Sequence, residues 1–143
     1  MLNNLFPKSS KLKKSFYPRE LRIKNMSDNL LFGNYGIKTK KNTVLYLKNL
    51  ESLKKNANKI LKKIGKIWIR PFPHYFITKK PLEVRMGNGK GNFYSWCVNL
   101  PKGFTILEFS IEEKSNINIF KIFKMLTSKI KGSIKFVKKN DLY

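Results

Sequence analysis

The sequence predicts a single α+β domain that carries a basic, extended N-terminal arm. Two segments place apolar residues at helical spacing, and several shorter segments have the β-branched and aromatic content of strands. Because helices and strands do not alternate strictly along the chain, α+β is favoured over a doubly wound α/β fold. We expect the arm to span residues 1–30 and the domain to span residues 31–143, including a loop at 77–92.

The composition indicates a polyanionic partner. The 143 residues contain 31 Lys and Arg against 8 Asp and Glu, which gives a formal net charge of +23. A field of that strength repels itself and argues against a generic metabolic enzyme. Since 41% of the residues are hydrophobic and 13% are aromatic, a purely disordered basic chain is also excluded. One Cys allows neither an intramolecular disulfide nor a Cys-based zinc site, and we expect no cofactor.

The N-terminal arm consists largely of cationic and polar residues. The least globular part of the chain extends beyond the arm, to residue 41. Phe16 and Tyr17 interleave with the charges, a pattern that suits base stacking beside phosphate pairing. Gly33 and Gly36 flank Asn34 and Tyr35, which predicts a turn. The cations of the arm that we expect to bind a polyanion are Lys8, Lys11, Lys13, Lys14, Arg19 and Arg22.

The first half of the domain contains a predicted helix and a predicted strand. Residues 44–64 have leucine and isoleucine at helical spacing, with lysines on the other faces. Gly65 follows the last apolar position and suits a C-cap. Residues 66–72 alternate, so that Ile67 and Ile69 share one face of a strand while Trp68 and Arg70 share the other.

The second half contains three predicted strands and a second helix. Residues 93–100 and 104–111 read as strands joined by a hairpin-like turn at 101–103. A helix is expected at 116–130, with Asn116 as its N-cap and Gly132 after its end. Residues 134–137 complete the pattern as a last strand.

The predicted loop at 77–92 is the clearest functional feature of the sequence. Its three glycines, Gly87, Gly89 and Gly91, alternate with other residues and allow close backbone approach to a partner. Loops of this length in compact domains are usually functional. The loop matches neither a P-loop nor a dinucleotide fingerprint, because a strand rather than a helix follows it. The phosphate partners that it offers are Lys79, Lys80, Arg85 and Lys90.

Catalysis is not expected from this sequence. His74 and Cys97 are the candidates for nucleophile–base chemistry, but no third orienting group is identified, and a Cys within a strand behaves as a small buried hydrophobe. The carboxylates, including Glu108, are better explained as ion-pair partners of the excess lysines. Trp96 is expected to pack in the core, whereas for Trp68 packing and contact with RNA are equally favoured.

A series of motifs resembles bacterial-type large-subunit ribosomal protein sixteen. The motifs occur in order and without gaps, and the resemblance extends over about residues 5–138. They are Lys66-Ile67-Trp68-Ile69-Arg70, Phe72-Pro73, Ile77-Thr78, Lys80-Pro81-Leu82, Arg85-Met86-Gly87, Gly89-Lys90-Gly91 and Trp96, preceded by Gly36-Ile37-Lys38.

The resemblance implies a hammerhead-like fold with a mixed or antiparallel sheet and two packing helices. It further implies binding to large-subunit rRNA near the A-site tRNA cleft and the peptidyl transferase region, contact with A-site tRNA and neighbouring large-subunit proteins, and a role in late subunit assembly. No catalytic role, membrane or small-molecule substrate is implied. Added to the cations already named, the RNA-binding residues expected on this basis are Lys38, Arg70, Met86, Gly87, Gly89 and Gly91.

Residue usage bears on the location of the protein. Lys, Asn, Ile and Phe, which have A/T-rich codons, are abundant, whereas Ala occurs once. We therefore expect a mitochondrial ribosome first, with a plastid or an A/T-rich bacterium as alternatives. The sequence has no run of about eighteen apolar residues and no apolar secretory region. The alternative function is a nonribosomal basic module that binds polyanions or membrane surfaces, although its charge is not concentrated on one helix face.

Overall fold

The computed structural model describes residues 6–7, 29–61, 64–111, 118–128, 130 and 132–139. These residues form two helices and seven strands, which confirms the α+β class. In chain order they are β1 (Tyr35–Thr39), β2 (Thr43–Tyr46), α1 (Leu47–Leu61), β3 (Gly65–Ile69), β4 (Tyr75–Lys79), β5 (Asn92–Leu100), β6 (Thr105–Ile111), α2 (Ile119–Thr127) and β7 (Ile134–Lys138).

The larger sheet has four strands in the order β3-β6-β1-β7, and every neighbouring pair is antiparallel. β1 lies inside this sheet, between β6 and β7. Its residues 36–39 are buried, because both edges of the strand are paired and its faces are covered. The turn that we predicted at Asn34 and Tyr35 is therefore wrong: Tyr35 begins a central strand. The sequence did not predict this strand, because Gly36 and Lys38 leave Ile37 as the one apolar residue at its centre.

The smaller sheet has three strands in the order β2-β5-β4, again all antiparallel. β2 occupies residues that we assigned to the first helix, so α1 begins at Leu47 rather than at residue 44. β4 was absent from our prediction, because its residues were placed partly in the 77–92 loop. Both corrections have the same physical cause, since short β-rich segments are stabilised by pairing with β5 and not by their own periodicity.

The segment 101–104 connects the two sheets. β5 and β6 were expected to form a hairpin, but β5 pairs with β2 and β4 while β6 pairs with β1 and β3. Thr39 at the end of β1 holds the connection: its hydroxyl donates to the Pro101 carbonyl at 2.6 Å, and its carbonyl accepts from Gly103 N–H at 3.0 Å. Gly103 has φ 87°, a conformation that favours glycine.

The core lies where both helices pack against the sheets. α1 contributes four buried residues at helical spacing (Leu50, Leu53, Ala57, Leu61), and α2 contributes Ile122 and Leu126. They belong to one cluster with Ile37, Leu45, Leu107 and Phe109. Burial of each large apolar side chain stabilises the fold by about 1.5–3 kcal/mol. The prediction that the apolar stripe of α1 forms core is confirmed.

The ends of both helices differ from the sequence-based expectations. α2 is capped by Asn118, whose side-chain oxygen accepts from the N–H groups of Phe120 and Lys121 at 3.1 and 3.3 Å. Asn116, our predicted cap, lies outside the described residues. Gly65 is not a cap but the first residue of β3, where a Cβ would collide with the Ser110 carbonyl oxygen. Glycine is required there for close approach of β3 to β6.

Candidate nucleic-acid interface

The basic loop spans residues 80–91 and connects the paired strands β4 and β5. Thr78 pairs with Phe93 and Lys79 pairs with Asn92, so the loop is a long hairpin connection with a fixed base. Residues 81–90 are all exposed. Our predicted loop began three residues too early, because residues 77–79 belong to β4. The loop therefore projects from a stable two-stranded base into solvent.

The tip of the loop has an unusual backbone. Gly87, Asn88 and Gly89 have φ values of 101°, 51° and 77°, all in the left-handed region. A Cβ at either glycine would meet nothing within 4 Å, so these glycines serve backbone conformation and not packing. The Lys80 ammonium group donates a hydrogen bond to the Gly87 carbonyl and ties the tip to the start of the loop.

The base of the loop, in contrast, is tightly packed. A Cβ at Gly91 would lie 2.6 Å from the carbonyl carbon and oxygen of Lys79. Of the three alternating glycines, Gly91 alone thus meets backbone of the opposite strand, whereas Gly87 and Gly89 face open space. The sequence predicted close approach to a partner for all three, but Gly91 approaches the chain itself.

The side chains of the loop combine positive charge with exposed apolar surface. Within residues 79–92 the cations Lys79, Lys80, Arg85 and Lys90 outnumber one acid, Glu83. Met86 is fully exposed and Leu82 is 94% exposed. Met86 was included in the predicted site, whereas Leu82 was missed. Leu82 could have been predicted from the sequence, because it is an apolar residue within a basic, glycine-rich loop.

A second charged site, centred on Glu108, lies inside the protein. The Glu108 side chain is fully buried in β6, where one carboxylate oxygen accepts from the backbone N–H groups of residues 31–33 at 2.7–3.1 Å. Its other oxygen accepts from the Arg70 guanidinium at 2.5 Å. A structural ion pair was expected for Glu108, but its partner is Arg70 and not one of the excess lysines. The hydrogen bonds from residues 31–33 fix the segment that immediately precedes β1.

The environment of Glu108 favours its charged form. Burial by itself raises the pKa of a carboxyl group, but here the N–H groups of residues 33, 32 and 31 and the guanidinium of Arg70 all stabilise the carboxylate. Their combined effect holds the pKa of Glu108 below its ordinary value. Gly33 permits this arrangement, because a Cβ at that position would lie 2.7 Å from the Phe109 carbonyl oxygen.

The other predicted contact residues have different surroundings. Lys38 is 4% exposed within β1, so its ammonium group is not offered to a phosphate on the surface. Arg70 is 18% exposed and is engaged with Glu108. The cations of the arm lie outside the described residues; they are Lys8, Lys11, Lys13, Lys14, Arg19 and Arg22. Among the predicted RNA-binding residues that the structure describes, it therefore brings together the residues of the loop.

The aromatic and reactive side chains are largely accounted for by packing. Trp68 stacks on Phe32 with ring centres 6.0 Å apart, and Trp96 packs edge-on against Phe76. Cys97 is buried, and burial raises the pKa of its thiol to about 11. His74 is exposed and lies against the Tyr75 ring. A buried, protonated thiol is a poor nucleophile.

The described residues contain neither a cluster of metal-ligating side chains nor a membrane-spanning helix. Within the described part of the chain, no group of three or more His, Cys, Asp or Glu side chains is arranged to hold a metal ion. No helix in those ranges combines the length and the apolar character required to cross a bilayer.

Comparison with known proteins relates the chain to one family. The family model described as Ribosomal protein L16p/L10e matches residues 7–137. The large ribosomal subunit protein uL16 of Wigglesworthia glossinidia brevipalpis is 38% identical over 135 residues, which cover 94% of this chain and 97% of the relative. The uL16 protein of Stenotrophomonas maltophilia (strain K279a) is 35% identical over 133 residues, covering 93% and 96%.

A third relative, uL16 of Mycobacterium leprae (strain Br4923), is 37% identical over 106 residues, or 74% of this chain and 77% of the relative. The span that the family model matches includes β1 to β7 almost completely, together with the basic loop. The chain belongs to the L16p/L10e family of ribosomal proteins.

Proposed function

We propose that this protein is a structural constituent of the large ribosomal subunit, in which it binds large-subunit rRNA near the A-site tRNA cleft and the peptidyl transferase region. The observation that carries the proposal is the exposed loop at 80–91, with its basic side chains, apolar tip and left-handed backbone. Membership of a ribosomal protein family supports the assignment to the ribosome.

The chemistry of the loop fits folded RNA. Lys and Arg side chains neutralise phosphates and supply affinity that depends on salt, whereas apolar side chains such as Met86 can lie against unstacked bases. Because nothing lies within 4 Å of a Cβ built at Gly87 or Gly89, a partner can approach the backbone of the tip closely. A ribose 2′-hydroxyl, which both donates and accepts, is a suitable partner for such backbone groups.

The finer assignments belong to the same proposal. A-site tRNA is proposed as a second partner of Arg85, and neighbouring large-subunit proteins as further partners. The basic arm, with Lys8 and Arg19 among its cations, is proposed to bind rRNA during late assembly of the subunit. Residue usage supports a mitochondrial ribosome, and the relatives compared, all bacterial, support a ribosome of the bacterial type.

A catalytic role is not part of this proposal. The buried Cys97, whose pKa is raised to about 11, does not offer a thiolate at neutral pH. Glu108 is committed to four hydrogen bonds, and this leaves it unsuited to general acid–base work. The protein is proposed to act by binding and positioning RNA.

The test is sedimentation with large-subunit particles that lack this protein. A variant with Lys80, Arg85 and Lys90 replaced by Ala should bind more weakly. For this variant, the slope of log K against log salt concentration should become shallower by about 0.7–0.9 for each phosphate that is no longer neutralised. The matched control replaces Lys121, Lys124 and Lys135, which are exposed elsewhere on the domain and carry the same total charge.

The control should retain more affinity than the loop variant, because its lysines lie on α2 and β7. Equal losses of affinity in the two variants would show that net charge rather than the loop determines binding. A wild-type protein that remained at the top of the gradient at every salt concentration would favour the alternative, a nonribosomal module that binds other polyanions.

A further inference from the structure

An open cleft lies beside the basic loop, and it is lined by α1 and by all three strands of the smaller sheet. Its volume is about 490 Å³, and Tyr94 of β5 forms one wall. Tyr94 is 48% exposed, although aromatic side chains in a strand usually contribute most by packing. The sequence did not predict Tyr94 as a binding residue, because it lies within a predicted strand beside other aromatic residues. The exposed ring is a surface on which a planar group could stack.

Two lysines approach this ring from different elements. The ammonium group of Lys48 on α1 lies 5.8 Å from the ring centre of Tyr94, and that of Lys79 on β4 lies 5.4 Å from it. Among the described residues, the lining of the cleft contains these two cations and no Asp or Glu. Both ammonium groups lie over the ring, where two like charges repel each other. An anion bound between them would be stabilised by both and would draw them away from the ring, which leaves its face open to a base.

The remaining walls offer hydrogen bonds and an apolar floor. Asn49 and Thr78 line the cleft, and their side chains can both donate and accept. Ile77 and Val44 contribute apolar surface. A ring for stacking, a pair of cations and mixed polar groups together match three recognisable features of a nucleotide: the face of its base, its phosphate and the hydrogen-bonding edge of its base.

The cleft is also continuous with the proposed rRNA-binding surface. A neighbouring cleft of about 320 Å³ contains Lys79 and Tyr94 and extends to Lys80 and Leu82 of the loop. Tyr94 thus forms a boundary shared by both clefts. An RNA strand that contacts the loop would reach the larger cleft without leaving the protein surface.

We propose that the cleft between α1 and β5 binds one unpaired nucleotide of large-subunit rRNA, whose base stacks on Tyr94 and whose phosphate lies between Lys48 and Lys79. This inference rests on the proposed function and deepens it, since it adds a defined nucleotide site to a general RNA-binding surface. rRNA is the chosen source because the loop that adjoins the cleft is itself proposed to contact rRNA.

The test is chemical probing of rRNA in large-subunit particles that lack the protein, before and after it is added at saturation. One unpaired nucleotide should become unreactive with wild-type protein and with Tyr94→Phe, which keeps the ring. It should remain reactive with Tyr94→Ala. The dissociation constant of Tyr94→Ala should rise by about 5- to 150-fold, the range expected for removal of one stacked base.

Two further variants make the test specific. Phe120→Ala removes a more exposed ring, 73% accessible on α2, and should leave the same nucleotide protected. Lys48→Ala leaves Tyr94 in place and should weaken protection of that nucleotide, so the inference can be tested even where Tyr94→Ala unfolds. Thermal unfolding of each variant establishes which of them are folded.

The outcomes separate this inference from the function on which it rests. If Tyr94→Ala and Lys48→Ala are folded and protect every nucleotide that wild type protects, the nucleotide site is refuted while rRNA binding stands. If protection appears only after A-site tRNA is added, the assignment to rRNA is refuted. If wild-type protein protects no nucleotide at all, the proposed function fails together with the site.

Discussion

Glu108 and the loop at 80–91 represent opposite uses of charge in one small domain. The Glu108 carboxylate is fully buried and accepts hydrogen bonds from three backbone N–H groups and from Arg70. The loop places its charges in solvent, with residues 81–90 all exposed. In the first region the partner of each charge lies within the protein. In the second, we propose that the partner is RNA.

Charges of the first kind affect stability, whereas charges of the second kind are available for binding. A buried charge that loses its partner is strongly destabilising, because desolvation is no longer compensated. An exposed charge contributes little to folding, since water already solvates it. Substitutions at the Glu108 site should therefore act on the free energy of unfolding, whereas substitutions in the loop should act on binding.

The largest effect is expected for Glu108→Gln. The variant removes the negative charge that pairs with Arg70, and its amide N–H₂ group must face either the three N–H donors or the guanidinium, so we expect a decrease of about 3–5 kcal/mol in the free energy of unfolding. Urea denaturation measures it. Glu83→Gln, an exposed acid of the loop, is the control and should change stability by less than about 0.5 kcal/mol. Similar midpoints for the two variants would contradict the comparison.

A smaller steric effect is expected at the base of the loop. The added methyl group of Gly91→Ala would lie 2.6 Å from the Lys79 carbonyl group, and we expect a decrease in stability of about 1–3 kcal/mol from the resulting displacement of backbone. Leu82→Ala, at a side chain that is 94% exposed, should leave the thermal midpoint almost unchanged. A fully stable Gly91→Ala protein would mean that the loop base is not held as described.

Acid should weaken the Glu108 site selectively. Its pKa is below the ordinary value of 4.5, so the unfolded chain binds this proton at higher pH than the folded protein does. The contribution to stability is fully present above pH 4.5 and disappears as the pH falls through the folded pKa, at about 1.4 kcal/mol per unit of pKa difference.

The measurement is the difference in unfolding free energy between wild type and Glu108→Gln from pH 7 to pH 3. We expect the difference to shrink in the acidic part of this range. A difference that stayed constant to pH 3 would mean that the pKa of Glu108 is not lowered by folding.

The smallest effect on folding, with a large effect on function, is expected for Arg85→Ala. The side chain is exposed on the loop, so stability should change by less than about 0.5 kcal/mol. Binding of A-site tRNA to ribosomes that contain the variant should be impaired. Lys124→Ala, an exposed cation of α2, provides the control. If both variants bind tRNA at the wild-type rate, Arg85 has no role at the A site.

The features predicted well from sequence are those that local pattern determines. The stripe of Leu50, Leu53 and Ala57 predicted the buried face of α1, and the alternation around Trp68 predicted β3. The glycine spacing located the basic loop to within three residues. In each case the signal and the structure that it produces lie within a few residues of each other.

The features that were missed depend on distant partners. β1 is buried because β6 and β7 pair with it, and the segment at 31–33 is held by Glu108, more than 70 residues away. β5 and β6 belong to different sheets, and the turn between them is hydrogen-bonded to the distant Thr39. The cleft at Tyr94 likewise requires β2, α1, β4 and β5 together. Such long-range contacts leave no periodic signal in one segment.

The most direct test of the central claim, that the loop contacts rRNA, is a cleavage probe attached to its tip. Asn88→Cys provides an exposed thiol, while Cys97 is buried with its pKa raised to about 11 and should remain unlabelled. Iron attached at residue 88 and activated in assembled large subunits should cleave rRNA close to the loop, and the same variant without iron should not. Absence of iron-dependent rRNA cleavage in subunits that contain the labelled protein would mean that the loop does not contact rRNA.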